Sequence, residues 1–283
     1  MKCFYHSADL DGHCSGAIVK MKYPECELIG INYGESIDLN LIDNDEEVYM
    51  VDFCLQPFSG MIALNAKAKL HWIDHHAKGS IDEAHSSGFL ASGGQLLEVG
   101  KAGCELTWEY LFPENKMPLG VFLLGRYDVW DHGVDNNVLP FQYGMRNNHD
   151  TRPHNTALWS RVLGSSFEVS EIVKTGKTII DYEASQNAKF CQAYAFETEF
   201  EGLKAVCANR GFTNSKLFDS VYNAEKHHLM ITFCRKKLPA KVWTVSLYST
   251  RKDVDCGDIA KRFGGGGHKG AAGFQCNNLP FAA

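Results

Sequence analysis

The segment KLHWIDHHAKGS, residues 69–80, runs from a short apolar stretch straight into three adjacent metal-capable side chains, Asp74, His75 and His76. An apolar run of this length reads as a buried strand. Upstream, KCFYHS (2–7), CELIGIN (26–32) and EVYMVDF (47–53) have the same character. Between them, GHCSGAIVKMKY (12–23) and FSGMIALNAKA (58–68) read as helices. Strands alternating with helices predict an α/β fold, a mainly parallel sheet covered on both faces. Ligands of such sheets bind at the carboxyl ends of the strands.

Those ends are acidic. The first gives His6, Asp9 and Asp11, followed by Gly12, the third gives Asp52, and the fourth gives Asp74-His75-His76. A later helical pattern ends in Asp128, Asp131 and His132. In an extended segment, residues two apart share a side, so Asp9 and Asp11 are expected to face one cavity, with Gly12 allowing a tight turn into the helix. Singly, each aspartate reads as a turn or N-cap and each histidine as an ordinary core or surface residue. Gathered at one sheet edge, the carboxylates would repel one another unless cations neutralise them. Mixed carboxylate and imidazole donors suit Mn²⁺, with Mg²⁺, Co²⁺ and Zn²⁺ as alternatives, and a bridging carboxylate would complete a two-metal hydrolytic site.

Residues 94–112 and 117–130 read as helical, and 133–156, rich in Asn, His, Gly and Pro, as a long loop. Residues 166–196 read as one long polar helix. Strands at 202–210, 227–237 and 240–249, with helices near 215–223 and 256–263, then make a second, smaller α/β unit.

The 283 residues are 45% hydrophobic and 22% charged, ordinary for a globular protein. No stretch reaches the roughly 20 apolar residues of a membrane span, and the polar N-terminus does not read as a signal peptide. A cytoplasmic protein without membrane association is expected. The ten cysteines are scattered with no C-x-x-C pair, which predicts free thiols packed as small apolar groups. The net charge of −6 argues against a long track for duplex DNA but leaves room for a small anionic substrate.

Near the C-terminus, Gly264-Gly265-Gly266-Gly267-His268-Lys269-Gly270 formally contains G-x-G-x-x-G. The helical pattern before it and the lack of a following βαβ unit exclude the dinucleotide reading. Glycine after Lys269 excludes a Walker loop. Consecutive glycines let backbone N–H groups converge on an anion, with His268 and Lys269 adding donors and charge.

HSADLDG, the strand-end Asp52, DHH and the later Asp128 resemble the DHH phosphoesterase family, and DIAKRFGGGGHKGAAGF (258–274) resembles the signature of its second domain, DHHA1. The resemblance implies a DHH catalytic domain over 1–165, a helical linker over 166–195 and a DHHA1 substrate-binding domain over 196–283. It implies one metal held by His6, Asp9 and Asp52, and another by Asp11, Asp52, His75 and Asp128. His76 would face the substrate phosphate, with Asp74 orienting the histidines. Arg251 would assist Gly264–Gly267, His268 and Lys269 in gripping substrate. His6 stands one residue closer to the first Asp than in many members. A stand-alone chain of this kind is most like a nanoRNase, hydrolysing short oligoribonucleotides to nucleoside monophosphates by two-metal activation of water. Cyclic or linear dinucleotides and 3′-phosphoadenosine 5′-phosphate are alternative substrates, a catalytically silent RNA- or nucleotide-binding module is the non-enzymatic alternative, and a homodimer is among the assemblies the reading allows.

Overall fold

The computed structural model describes residues 1–237 and 242–282. Two compact units divide the chain, Met1–Ile179 and Ile180–Ala283.

The first unit begins β1 (Lys2–His6), α1 (Leu10–Lys22), β2 (Glu27–Ile31), β3 (Glu47–Val51), α2 (Ser59–Lys67), β4 (Lys69–Asp74), α3 (Asp82–Ser87), β5 (Gly94–Leu97). Its sheet has the order β2-β1-β3-β4-β5 with every pairing parallel. The central strands are apolar on both sides because both faces are covered. Cys3, Tyr5, Tyr49, Val51 and Ile73 pack beneath α1 and the later helices. On the other face, Phe4, Val48, Met50, Leu70 and Trp72 meet Met61 and Leu64 of α2. After β1 the chain first places β2 on one side and then β3 on the other, so the switch point of the sheet lies between β1 and β3. That is the position where open α/β sheets bind ligands.

After β5 come α4 (Gly103–Leu111), α5 (Leu119–Asp128), α6 (Val138–Arg146), α7 (Thr156–Gly164) and α8 (Ser166–Tyr194). Two expectations change here. Residues 94–97 extend the sheet in parallel with β4 before the helix of 103–111 starts, because an open sheet edge outweighs the helical pattern of so short a stretch. The expected loop of 133–156 contains α6, whose Val138, Phe141 and Met145 enter the core. Its Asn- and Gly-rich flanks mask that spacing.

The second unit holds the end of α8, then β6 (Phe196–Phe200), β7 (Leu203–Asn209), β8 (Leu229–Arg235), β9 (Trp243–Tyr248), α9 (Cys256–Arg262), β10 (Gly266–Gly267) and β11 (Ala271–Cys276). The order is β10-β11-β9-β8-β7-β6, with only β7–β8 parallel. Ile259 and Ala260 of α9 close one face over Leu229, Ile231, Val245 and Phe274. Phe218 and Cys191 close the other over Val206 and Met230. The sequence pattern misses β6, which follows α8 without a break signal, and β11, whose small residues have little strand preference of their own. The helix expected near 215–223 is a single 3₁₀ turn, Ser215–Phe218. The start of the strand expected from 240, residues 240–241, lies outside the described residues. The fold is thus α/β, with a parallel five-stranded sheet in the first unit and a mixed six-stranded sheet in the second, smaller unit. All ten cysteines are free thiols, most of them buried.

Candidate metal centre

His6 is the last residue of β1, and Asp9 is the N-cap of α1, its Oδ1 accepting from the Gly12 N–H at 2.9 Å. The other Asp9 oxygen lies 2.9 Å from His6 Nδ1. Asp11 sits in the first turn of α1, where the helix dipole favours a carboxylate. Asp9 and Asp11 therefore reach the acidic cluster, in different donor sets, for a different reason than expected. They do not share a strand side; N-cap and first-turn side chains both lean back toward the start of the helix. Gly12 is required by close approach rather than by a turn, since a Cβ there would stand 2.0 Å from the His6 carbonyl oxygen.

Two backbone N–H groups opening α4 hold the Asp11 carboxylate, Gly103 to Oδ2 at 2.8 Å and Cys104 to Oδ1 at 2.7 Å. Gly103 also leaves room for Asp52, whose Cβ would lie 2.6 Å from an added Cβ. Asp52 follows β3 with φ of +54°, a left-handed conformation that Asp tolerates better than most residues. It is 1% exposed. Its Oδ2 lies 3.6 Å from His6 Nδ1, and its Oδ1 lies 3.2 Å from His75 Nε2. His75 Nε2 in turn lies 3.6 Å from Asp11 Oδ2 and 3.4 Å from Asp128 Oδ2. Three donor sets result: His6, Asp9 and Asp52; Asp11, His75 and Asp128; Asp52, His75 and His76.

These residues fit divalent cations. His6 Nδ1 and both Asp52 oxygens are buried and make no hydrogen bond. A buried carboxylate without donors is costly unless a cation meets it. Cis ligands on an octahedral ion bound at about 2.1 Å stand roughly 3 Å apart, close to the 2.9 and 3.2 Å of His6–Asp9 and His75–Asp52. Asp128 lies at the carboxyl end of α5, where the dipole disfavours a negative charge. A cation there would offset that penalty.

The electrostatics follow from the crowding. Burial, then the charges of Asp52 and Asp128, holds the Asp11 carboxyl well above the usual range. Burial and Asp52 push Asp128 to about 6. Burial works against ionised Asp52, but the His6 and His75 imidazoles outweigh it and hold its carboxyl below the usual range. Burial also works against protonated His6, yet Asp52 and Asp9 raise it to about 10. The raised His6 gives stability that is complete below its unfolded value of about 6.5 and lost as pH rises toward 10. The raised Asp11 acts in the same direction, because the unfolded chain loses that proton earlier, whereas the contribution of Asp128 is already lost by about pH 6. Metal-free protein is therefore expected to melt at lower temperature at pH 9 than at pH 6.5, and Mn²⁺ to stabilise it more at pH 9, since binding displaces protons. Thermal melts with chelator and with Mn²⁺ at both values check this. A metal-free protein that gains stability toward pH 9 contradicts it.

Asp74 is fully buried and organises His76. Its Oδ1 accepts from the His76 ring Nδ1 at 2.8 Å and from the His75 and His76 N–H groups, while its Oδ2 accepts from the Ser80 hydroxyl. The expectation that Asp74 orients both imidazoles is corrected: only the His76 ring is held, because the His75 ring turns away toward Asp52, Asp11 and Asp128. Burial works against protonated His76, but Asp74 raises it to about 9.

Sequence reading missed Ser80, although it lies six residues after Asp74. It also missed Glu105, which takes the Arg126 guanidinium through both oxygens and caps its own helix at Ala102 N, 3.0 Å away. Asp131 and His132 do not join the cluster. Asp131 lies 3.6 Å from Arg126 Nη1. His132 stacks between neighbours in sequence, 4.8 Å from the Tyr127 ring and 5.4 Å from that of Trp130, which is 76% exposed.

In the second unit, the Gly264 and Gly265 N–H groups cap α9 by donating to the Lys261 and Ala260 carbonyls, and His268 donates to the Ala271 carbonyl. Those three are therefore engaged. Gly266 and Gly267 form β10, and His268 and Lys269 follow at the exposed tip. Arg251 is paired with Asp253 and with the Ala224 carbonyl.

No protein-family model matches the chain. A curated protein of Acanthamoeba polyphaga mimivirus is 24% identical over 258 residues, covering 87% of this chain; the chain spans 57% of that relative's length. The pGpG-specific phosphodiesterase PggH from Vibrio cholerae has a similar structure, with a TM-score of 0.57, 13% identity and coverage of 97% of this chain and 92% of that one. A DHH domain from a member of the s1p family of ribosomal proteins has a TM-score of 0.55 and 15% identity, covering 96% and 81%. The fold is therefore shared with these two structures, a pGpG-specific phosphodiesterase and a DHH domain. Among the described residues, no helix is long and apolar enough to cross a membrane.

Proposed function

We propose that this chain is a metal-dependent phosphodiesterase that hydrolyses short oligoribonucleotides, down to dinucleotides, to nucleoside monophosphates. Asp52 carries the reading. It is a buried carboxylate at the switch point, without hydrogen bonds, with one oxygen toward His6 and the other toward His75 and the Asp11–Asp128 pair. That is the disposition of a carboxylate shared by two cations.

His6, Asp9 and Asp52 would hold one ion, and Asp11, Asp52, His75 and Asp128 the other, Mn²⁺ being the best match to the donors. Such ions would supply charge neutralisation and a water acidic enough to act as nucleophile near neutral pH. His76, raised to about 9 and fixed through Nδ1 by Asp74, keeps its Nε2–H free to donate to a phosphoryl oxygen as charge builds there. The exposed Trp130, stacked on the half-buried His132 close to Asp128 in sequence, offers an aromatic face of the kind nucleobases use. The likeness to a pGpG-specific phosphodiesterase agrees with a nucleotide substrate. In this reading residues 1–165 are catalytic, 166–195 a linker and 196–283 substrate-binding. Because the Gly264, Gly265 and His268 N–H groups are engaged, the exposed His268 and Lys269 side chains, rather than converging glycine N–H groups, would serve as the anion-binding element of Gly264–Lys269, and Arg251 would join only by exchanging Asp253 for a phosphate.

The test is Mn²⁺-dependent hydrolysis of RNA dinucleotide, longer RNA, single-stranded DNA, cyclic dinucleotide, 3′-phosphoadenosine 5′-phosphate and pyrophosphate, with His75→Ala as control. Fastest cleavage of the dinucleotide, lost in the variant, is expected. Hydrolysis of pyrophosphate alone would refute it, and tight dinucleotide binding without Mn²⁺ uptake would instead indicate a silent binding module.

A further inference from the structure

β2 ends at Ile31, whose carbonyl accepts from both the N–H and the hydroxyl of Ser7, at 3.0 and 3.2 Å. The chain then turns tightly over residues 32–35. The Glu35 N–H donates to the Asn32 carbonyl at 3.0 Å, and the Glu35 carboxylate accepts from the Asn32 N–H at 2.9 Å. Gly34 takes φ of +91°, which suits glycine. The Asn32 side chain accepts from the Tyr33 N–H at 2.8 Å. Tyr33 is thus displayed at the carboxyl edge of the sheet from a turn closed by its own side chains.

Its ring stands beside the candidate metal centre. The centroid lies 5.5 Å from that of His6 and 6.3 Å from that of His76, both T-shaped contacts. Phe53, which follows Asp52 and is 1% exposed, backs the ring at 4.8 Å. Burial, then the Asp74 and Asp52 carboxylates, holds the Tyr33 hydroxyl above the usual phenol range, so that end of the side chain lies toward the cluster. These neighbours still leave 48% of Tyr33 exposed. An exposed aromatic on its own calls for no explanation. This one touches a candidate metal ligand and the candidate phosphate donor at once. A nucleotide joins its base to its phosphate through one sugar, so whatever seats the base must stand within a sugar's length of the group that holds the phosphate. Tyr33 meets that condition.

We propose that Tyr33 is a base platform of this centre: one nucleobase of the substrate stacks on its ring while the adjoining phosphate reaches His76 and the metal ligands. The inference rests on the phosphodiesterase reading for its link to turnover. Stacking uses the π face that every base has, so the platform seats a base without choosing among the four. The contact is made in the bound substrate and in the transition state alike, so it acts on KM rather than on kcat.

The experiment compares wild type, Tyr33→Ala and Tyr33→Phe in Mn²⁺-dependent hydrolysis of GpG, of ApA and of the two ApA analogues that each lack one base. Tyr33→Ala is expected to raise KM for GpG and ApA by roughly tenfold, within what one stacked base supplies, with kcat little changed and Mn²⁺ uptake as in wild type. Tyr33→Phe, which keeps the ring, should restore the wild-type KM. One abasic analogue should be indifferent to Tyr33→Ala and the other should show the full effect, a contrast that a merely distorted site would not produce. Should Tyr33→Ala disturb Mn²⁺ uptake, Tyr33→Leu, which fills the space without an aromatic ring, carries the same comparison. An unchanged KM, a Phe variant as weak as the alanine one, or equal losses on both analogues overturns the platform while leaving the phosphodiesterase standing. If wild type hydrolyses no dinucleotide, the phosphodiesterase reading fails by itself. Calorimetric binding of ApA to wild type and Tyr33→Ala then decides the platform: a loss of the same size upholds it, and equal affinity overturns it.

Discussion

Asp52→Asn should leave a folded protein that takes up neither cation of the pair with native affinity and turns over no substrate. Asn keeps the shape of the side chain and also tolerates the left-handed backbone at +54°, so the change is confined to charge and donor type. An amide oxygen replaces one carboxylate oxygen, and an N–H₂ group that cannot ligate replaces the other. Loss of an outer partner of a metal ligand costs roughly 10- to 100-fold in affinity. Removing a ligand shared by both positions should exceed that. Calorimetric titration with Mn²⁺ is the measurement: two sites in wild type, and at most one weakened site in the variant, with circular dichroism unchanged. Two sites of undiminished affinity in the variant would show that Asp52 bridges nothing.

The second large effect is one of stability. Glu105→Ala should destabilise the protein by about 3 kcal/mol, the lower end of the range for breaking a buried ion pair from one side. The lower end applies because Arg126 keeps 15% of its side chain exposed, against 5% for Glu105. Truncation strips Arg126 of its two-oxygen partner and removes the acceptor of the Ala102 N–H, so α4 loses its capping carboxylate as well. The consequence reaches the candidate site, since Arg126 stands two residues before Asp128 on α5 and α4 carries the N–H groups that hold Asp11. Denaturant melts should therefore show the loss of stability, and Mn²⁺ titration a weakened second position, in the same variant. A change below about 0.5 kcal/mol, the size of an ordinary surface substitution, would mean the pair is structurally idle.

The alternation of apolar runs and helical patterns, and the acids placed directly after them, were legible in the chain because each strand end is a local event. KCFYH, EVYMV and KLHWID are recognisable from a few consecutive residues, and parallel strands must all deliver their carboxyl ends to the same edge. Hence His6, Asp9, Asp11, Asp52, His75 and Asp128 could be grouped from spacing and resemblance, and the structure brings their donor atoms together. Less local features were hidden. β5 and β11 exist because a neighbouring strand offers hydrogen bonds, which no stretch of their own sequence announces. α6 lies inside a segment whose Asn, Gly and Pro content reads as loop until its apolar face finds a core.

The sequence by itself determined the α/β class and the chemical inventory of the acidic edge, because these depend on residue types at strand and helix ends and on periods of a few residues. Only the tertiary structure decided which atoms face which: that Asp52 turns one oxygen to His6 and the other to His75, that Asp74 holds the ring of His76 but only the N–H of His75, and that Asp11 is gripped by the opening N–H groups of α4. Those outcomes depend on backbone segments tens of residues apart approaching to within a hydrogen bond, as Gly103 and Cys104 do with Asp11. Such contacts are set by packing of the whole unit rather than by any local pattern.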